Sequence, residues 1–238
     1  MSSKNVDIFI GTYKEFEPLV SNNVYKIIVG NHNITNDSNL ELIKCGDSND
    51  VLDDVFFSEI YMLSWVTKNI DLKDYVGFCH YRKYWKFMDK IPDLDELFKG
   101  VDVIVPKPLY FRRTLRETYG LCHNIEDYDL MGKIIEEKYP QYYEKFKTFS
   151  ECHVMFPCNM FIMKKEDFLE YIDFVKGVLD EWVSRVGTDI RGRIEANKDK
   201  YLKDFAPNDT VEYQYRIGGY LAERLTNISS WPNSRRLR

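Results

Sequence analysis

No stretch of this sequence approaches the run of about 20 apolar residues that spans a bilayer, and its opening residues, through Val6 and Asp7, lack the long apolar core of a secretory leader. Cysteine is sparse. Cys45, Cys79, Cys122, Cys152 and Cys158 form an odd set with no Cys-x-x-Cys pair, which argues against a disulfide framework and for reduced thiols. Basic charge is not in excess. Lysine and arginine total 33 against 38 acidic residues, for a formal net charge of −5, which disfavours nucleic acid as the main partner. Also missing are the Gly-x-Gly-x-x-Gly dinucleotide turn, the phosphate loop ending in Gly-Lys-Ser/Thr, the His-Glu-x-x-His zinc motif and the Gly-x-Ser-x-Gly elbow. A soluble cytoplasmic protein is expected, working at most at the inner membrane surface through a peripheral contact.

What is present suits one globular domain. The 238 residues are 44% hydrophobic and 30% charged, enough to bury a core. Aromatics are abundant, with 17 tyrosines and 15 phenylalanines. They serve either the core or as stacking platforms for sugar rings or a base. Arginines cluster at Arg112, Arg113 and Arg116 and again at Arg235, Arg236 and Arg238. Such clusters are solvated faces or, at the tail, a contact for acidic headgroups.

Short apolar runs at Val6–Gly11, Val24–Gly30, Tyr75–Cys79, Val101–Val105 and Asn159–Met163 read as buried strands. Asn31–Asp54 is polar and reads as loop. Helical spacing predicts helices over Phe56–Asn69, over Ile125–Phe149 with a break near Pro140 and a cap at Asn124, over Lys164–Trp182, and over Gln214–Leu225. Alternating strands and helices predict an α/β fold, a mostly parallel central sheet with helices on both faces. Ligands of such sheets bind beyond the carboxyl ends of the strands. That directs attention to Thr12-Tyr13-Lys14, Asn31-His32, His80-Tyr81-Arg82, Lys107 and Lys164-Lys165.

The densest constellation is His80-Tyr81-Arg82-Lys83-Tyr84-Trp85, directly after a strand. A guanidinium suits phosphate, an aromatic ring stacks, and a histidine shuttles protons or binds metal. The cluster is equally readable as a basic turn at a sheet edge. Asn159 opens an otherwise apolar strand, as a turn residue or as a donor to a sugar hydroxyl. Glu223-Arg224 is either a surface pair or a general base with its orienting cation. Glu59 lies on an apolar helix face and needs a partner such as Arg82. Two Asp-x-Asp triplets, at Asp93 and Asp127, sit where helices start and read as caps. His123, His153, Cys122, Cys152 and Cys158 match no usual zinc spacing.

At His80–Trp85 the sequence resembles a polysaccharide-biosynthesis glycosyltransferase family, formerly a domain of unknown function, found in capsule, exopolysaccharide and O-antigen clusters and in large viruses. Its hallmark is His-Tyr-Arg-Arg-Tyr-Phe after a strand. Glu59, Trp65, Lys68 and Asn69 match the family's upstream helix, with Ser64 replacing an aromatic. Asn159–Lys165 matches a family strand in full. Arg216, Gly219, Leu221, Glu223, Arg224 and Leu225 match a terminal motif, His123 falls at a recurring histidine, and Tyr13 replaces a histidine in the opening Thr-His-Lys. Gly187–Asp209 has no clear counterpart and reads as an acceptor-side insertion.

The resemblance implies a GT-A-like single domain over residues 1–238, with 1–110 the nucleotide-sugar-binding half and 111–238 the acceptor-side half. It implies sugar transfer from a nucleotide sugar, best a UDP-hexose such as UDP-galactose or UDP-galactofuranose, to a glycan, lipid-linked or protein-linked acceptor. Donor-site candidates are Thr12, Tyr13, Lys14, Glu59, His80, Tyr81 and Arg82. Catalytic candidates are Glu223, His80 and Arg82. His123, Asn159 and Arg224 are placed in the sugar or acceptor pocket. No tightly bound cofactor is expected, and a divalent ion, manganese or magnesium, is left open. Two other readings stand beside this one: a non-catalytic nucleotide- or glycan-binding module, and a sugar nucleotidyltransferase.

Overall fold

A computed structural model describes residues 5–46, 52–204 and 207–230. The strands are β1 Val6–Thr12, β2 Tyr25–Val29, β3 Glu41–Lys44, β4 Tyr75–His80, β5 Val103–Ile104, β6 Leu109–Tyr110, β7 Val154–Met155 and β8 Phe161–Lys164. Six of them form one sheet in the order β3-β2-β1-β4-β8-β5, and β6 pairs separately with β7. The first four positions of the sheet are parallel, whereas β8 runs antiparallel to both β4 and β5. The helices are α1 Asp54–Phe57, α2 Glu59–Asn69, α3 Leu94–Leu97, α4 Leu115–Cys122, α5 Ile125–Lys138, α6 Pro140–Glu151, α7 Lys165–Val186, α8 Ile190–Ala196, α9 Lys198–Tyr201, α10 Val211–Gln214 and α11 Ile217–Ser230.

Every residue of β1 is buried, and its side chains alternate between two cores. Phe9 packs with Phe78 and Phe161 beneath the large helices. Val6, Ile8 and Ile10 pack on the other face with Tyr25, Ile27, Ile162 and a cover built from Trp85, Leu94 and Phe98. A strand covered on both faces has no polar side, which is why this one reads as a continuous apolar run. Asp7 is the exception: fully buried, it is matched by Lys26 at 3.2 Å and Lys73 at 3.7 Å.

Several boundaries differ from the sequence reading, each for a local reason. The polar stretch Asn31–Asp54 contains β3, an edge strand of which only Ile43 is buried, so alternation is too short to register; residues 47–51 lie outside the described part. The helix expected over Phe56–Asn69 is divided into α1 and α2 at Ser58, whose φ is 51°. The strand expected from Asn159 begins at Phe161, because Cys158 and Asn159 take φ of 73° and 49°. The last helix is preceded by a separate turn, α10, with Tyr215 and Arg216 between them. Helix α4 was not anticipated, although Thr114 and Glu117 form a capping box at its start. The break at Pro140 and the Asn124 cap are where the sequence places them, Asn124 Oδ1 accepting from Glu126 N at 3.1 Å.

The two Asp-x-Asp triplets part company. Asp93 caps α3, accepting from Glu96 N at 3.2 Å. Asp127 lies in the first turn of α5 but is fully buried, and its Oδ1 accepts from Arg193 Nη2 at 2.8 Å and from the Tyr201 hydroxyl at 3.2 Å. Burial outweighs the arginine and pushes its carboxyl up to about 6. Nearby, His123 is buried with its Nδ1 3.0 Å from Gln214 Oε1 and its ring stacked 4.1 Å from that of Tyr220. Burial, then the charge of Arg224, pushes this imidazole down to about 3.

These two groups bias stability in opposite directions. The contribution of His123 is present above its ordinary value of 6.5 and is lost as pH falls toward about 3, because the unfolded chain takes up a proton that the fold refuses. That of Asp127 is full below its ordinary 3.8 and is lost as pH rises through about 6. Between those limits the slopes oppose. Asp127→Asn removes one of them, so the variant's stability is expected to fall more steeply on acidification, by up to about 1.4 kcal/mol per pH unit. Urea unfolding at a series of pH values measures this. Parallel curves for variant and wild type would mean that Asp127 keeps an ordinary pKa.

Candidate active site

Strands β1, β2 and β4 end side by side, and beyond their carboxyl ends opens a cavity of about 280 Å³. This is where an open α/β sheet binds ligand. Gly11, Thr12 and Tyr13 line it after β1, and Gly30 and His32 after β2. Asp54, Val55, Ser58, Glu59 and Met62 come from α1 and α2, His80 from the end of β4, and Arg216 from the approach to α11. Gly30 lies against Asp54, whose carboxylate would collide with any Cβ there. That carboxylate accepts from Asn31 N at 2.8 Å and lies 3.4 Å from His32 Nε2.

Glu59 and His80 form the centre. His80 Nε2 lies 2.7 Å from the carbonyl oxygen of Cys158 and 3.5 Å from Glu59 Oε1. A carbonyl only accepts, so this nitrogen carries a proton. Glu59 Oε2 accepts from Asn159 Nδ2 at 3.4 Å, and Asn159 Oδ1 accepts from the Thr226 hydroxyl at 2.8 Å. Cys158 is pinned at every polar atom. Its carbonyl meets His80, its N–H donates to Glu223 Oε1 at 2.6 Å, and its sulfur accepts from Lys83 Nζ at 2.7 Å. Glu223 Oε2 in turn accepts from Arg224 Nη1 at 3.0 Å. Of the four non-glycine residues with positive φ among the described residues, Cys158 and Asn159 belong to this network and Ser58 lines the cavity beside Glu59. Backbone strain persists only where the surroundings over-determine it, and it collects at functional sites.

At the rim, Thr12 Oγ1 donates to Lys14 O at 2.6 Å and accepts from Lys14 N at 3.2 Å, tightening the turn after β1. Tyr81 is buried on the opposite side from the large helices. Its ring carries Arg82 at 5.0 Å, Lys14 at 5.5 Å and the edge of Tyr13 at 5.6 Å. Tyr13 is half exposed and lines the cavity. Its hydroxyl is pushed up in pKa, first by its hydrogen bond with Tyr81 and then by burial.

The structure thus brings Thr12, Tyr13, Glu59 and His80 together in one cavity. It sets Lys14, Tyr81 and Arg82 beside it, and stacks Asn159, Glu223 and Arg224 behind the Glu59–His80 pair. Arg82 is not the partner of Glu59; His80 is. His123 does not line the cavity but is buried against Tyr220 and Gln214. Lys164 and Lys165 lie at the far edge, because β8 runs antiparallel and delivers its amino end, not its carboxyl end, to the site. Sequence reasoning assigned no role to Asp54, Ser58 or Arg216. Arg216 stood in a recognised motif and Asp54 at the end of a stretch read as loop, whereas the conformation of Ser58 has no signature. Among the described residues no three His, Cys, Asp or Glu side chains are grouped to hold a metal ion, and no helix is long and apolar enough to cross a membrane.

Residues 7–234 match a family described as a domain of unknown function, DUF4422. Among solved structures, the apo form of the bifunctional glycosyltransferase WbbM is similar over 94% of this chain and 41% of its own, with a TM-score of 0.68 and 25% identity. The chain therefore spans less than half the length of WbbM. No curated protein matches it. With its mostly parallel six-stranded sheet, flanking helices and near-complete match, the chain belongs to the DUF4422 family and shares its fold with part of a glycosyltransferase.

Proposed function

We propose that this protein is a glycosyltransferase that moves a sugar from a nucleotide-sugar donor, a UDP-hexose in the first instance, to a glycan acceptor. The observation that carries the reading is the Glu59–His80 pair in a cavity at the ends of β1, β2 and β4, in a fold shared with a glycosyltransferase. In the transfer, an acceptor hydroxyl attacks the anomeric carbon, the bond from that carbon to the diphosphate breaks, and the hydroxyl proton must find a base. Two carboxylates line the cavity; Asp54 holds Asn31 N and His32, and Glu59 takes the role of base. Glu223 does not line the cavity and instead holds Cys158 N and Arg224, so it acts as a positioning residue through Cys158. Thr12 and Tyr13 face the nucleotide. Arg82, Lys14 and Arg216 supply the positive charge that a departing diphosphate needs, and His80 lies in the cavity beside Glu59.

Thermal-shift measurements with nucleoside diphosphates and nucleotide sugars, each with and without manganese, test the donor class, since a ligand that binds only the folded state raises the melting temperature. Selective stabilisation by uridine nucleotides is expected, and manganese dependence reports how the diphosphate is held. Release of nucleoside diphosphate then separates an enzyme from a binding module. Arg82→Ala is expected to cut that release by about 100-fold or more with an unchanged melting temperature in the absence of ligand. Full activity in this variant removes Arg82 from the site.

A further inference from the structure

Away from the cavity, the ribbon of β6 and β7 displays an uncovered apolar tip. Tyr110 is 75% exposed and Leu109 is 47% exposed, and Tyr110 is the most exposed large hydrophobic among the described residues. The tip is not a loose loop. Leu109 and Tyr110 pair with Met155 and Val154, and Phe111 N donates to His153 O at 2.8 Å. Where β7 leads on, Asn227 clamps Phe156 through both its N–H and its carbonyl, at 2.8 and 2.9 Å. Exposed cations bracket the tip: Lys107 on one side, Arg112 and Arg113 on the other. None of the three has a carboxylate partner among the described residues, whereas Arg116 nearby is bound by Asp129 at 2.6 Å. In a chain of net charge −5, an anionic surface is repelled overall and attracted here, so this patch also selects the orientation of approach.

We propose that the β6–β7 ribbon docks the protein on an anionic lipid surface. Leu109 and Tyr110 enter the headgroup boundary, and Lys107, Arg112 and Arg113 face the lipid phosphates. Reversible membrane binding needs two signals, apolar insertion and a basic patch, and both are present within seven consecutive residues, from Lys107 to Arg113. A glycan platform would use the aromatic face alone and has no need of Leu109 or three cations. The topology adds a consequence. Strand β5 is antiparallel to β8, and β8 to β4, so β5 runs parallel to β4. The chain therefore leaves β5 toward the ribbon at the same end of the sheet as the cavity, and docking holds that end near the membrane. The inference does not depend on the transferase reading.

Co-sedimentation of the full chain with phosphatidylcholine vesicles, with and without phosphatidylglycerol, tests it. Binding is expected only with phosphatidylglycerol, and weaker at high salt. The double variants L109S/Y110S and R112E/R113E are each expected to lower partitioning by about tenfold or more, with melting temperatures like the wild type's. Replacing Arg235, Arg236 and Arg238 by serine should leave binding in place. The proposal is overturned if the wild type ignores phosphatidylglycerol vesicles, if either ribbon variant binds as well as the wild type, or if the tail variant alone loses binding. It is overturned equally if L109S/Y110S abolishes a dimer while neither form binds vesicles, since the ribbon is then a protein interface.

Discussion

Glu59→Gln is expected to lower the turnover of donor by about 100- to 10,000-fold, the range that general-base catalysis contributes, while leaving the melting temperature close to that of the wild type. Glutamine keeps the shape of the side chain, and its single oxygen can still accept from Asn159 Nδ2 or face His80, though not both. What it loses is the ability to take a proton. Because that ability matters only as the acceptor hydroxyl attacks, the loss should fall on kcat, with the donor's thermal shift retained. Arg82→Ala should show the other pattern, with weakened donor stabilisation together with lost turnover. Glu223→Gln gives a third. Its oxygens hold Cys158 and Arg224 rather than the cavity, so a smaller loss is expected. If Glu59→Gln turned over at the wild-type rate and Glu223→Gln did not, the base would be Glu223 and the roles assigned to the two carboxylates would exchange.

Gly218→Val should destabilise the fold more than any substitution in the cavity. A Cβ on Gly218 would stand 2.7 Å from the backbone carbonyl oxygen of Phe56 and 2.7 Å from its ring, and one on Gly219 would stand 2.5 Å from Ser58 Oγ. The adjacent glycines let α11 press directly on the α1–α2 junction. A flexible side chain can move aside, but a carbonyl at the end of a helix cannot move without carrying the helix with it. Overpacking of this kind costs about 1–3 kcal/mol or more, which in a chain of this size lowers the melting temperature by roughly 2–4 °C per kcal/mol. Gly100→Ala is the control: a Cβ there meets nothing within 4 Å, and no measurable change is expected. Equal melting temperatures for Gly218→Val and wild type would mean that α11 is not seated against Phe56. Since Ser58 and Glu59 follow directly from that junction, partial retention of the fold should still be accompanied by loss of donor binding.

What could be read from the sequence follows from what each element is buried against. Strands β1, β2 and β4 are covered on both faces, so they stand out as apolar runs. The rule that ligands gather beyond such strands then leads to Thr12, Tyr13 and His80. Strand β3 escapes because an edge strand with exposed Glu41 and Lys44 has no such run. Glu59 could be placed on a helix, but its partner could not be foreseen. The choice between Arg82 and His80 is made by the side of the sheet each reaches, which depends on where β4 ends. His123 illustrates the opposite limit. A histidine in a stretch that resembles a family motif suggests chemistry, yet this one is held neutral in the core by burial and the charge of Arg224. The positive φ of Ser58, Cys158 and Asn159 had no sequence signal, because none is glycine. Cys158 and Asn159 are held by partners 65 and 100 residues away, Glu223 and Glu59.

The insertion of β8 between β4 and β5 has a consequence for synthesis on the ribosome. Residues 6–80 supply four parallel strands early, but the neighbour of β4 on its open side is Phe161–Lys164. Until that segment has left the exit tunnel, β4 presents unpaired backbone along Tyr75–Phe78, and β5 has no strand to join. The nascent chain therefore carries an open sheet edge for the time needed to translate about eighty further codons, several seconds at ordinary elongation rates. Chaperone demand and vulnerability to aggregation should be concentrated in that interval and should end abruptly once β8 closes the gap.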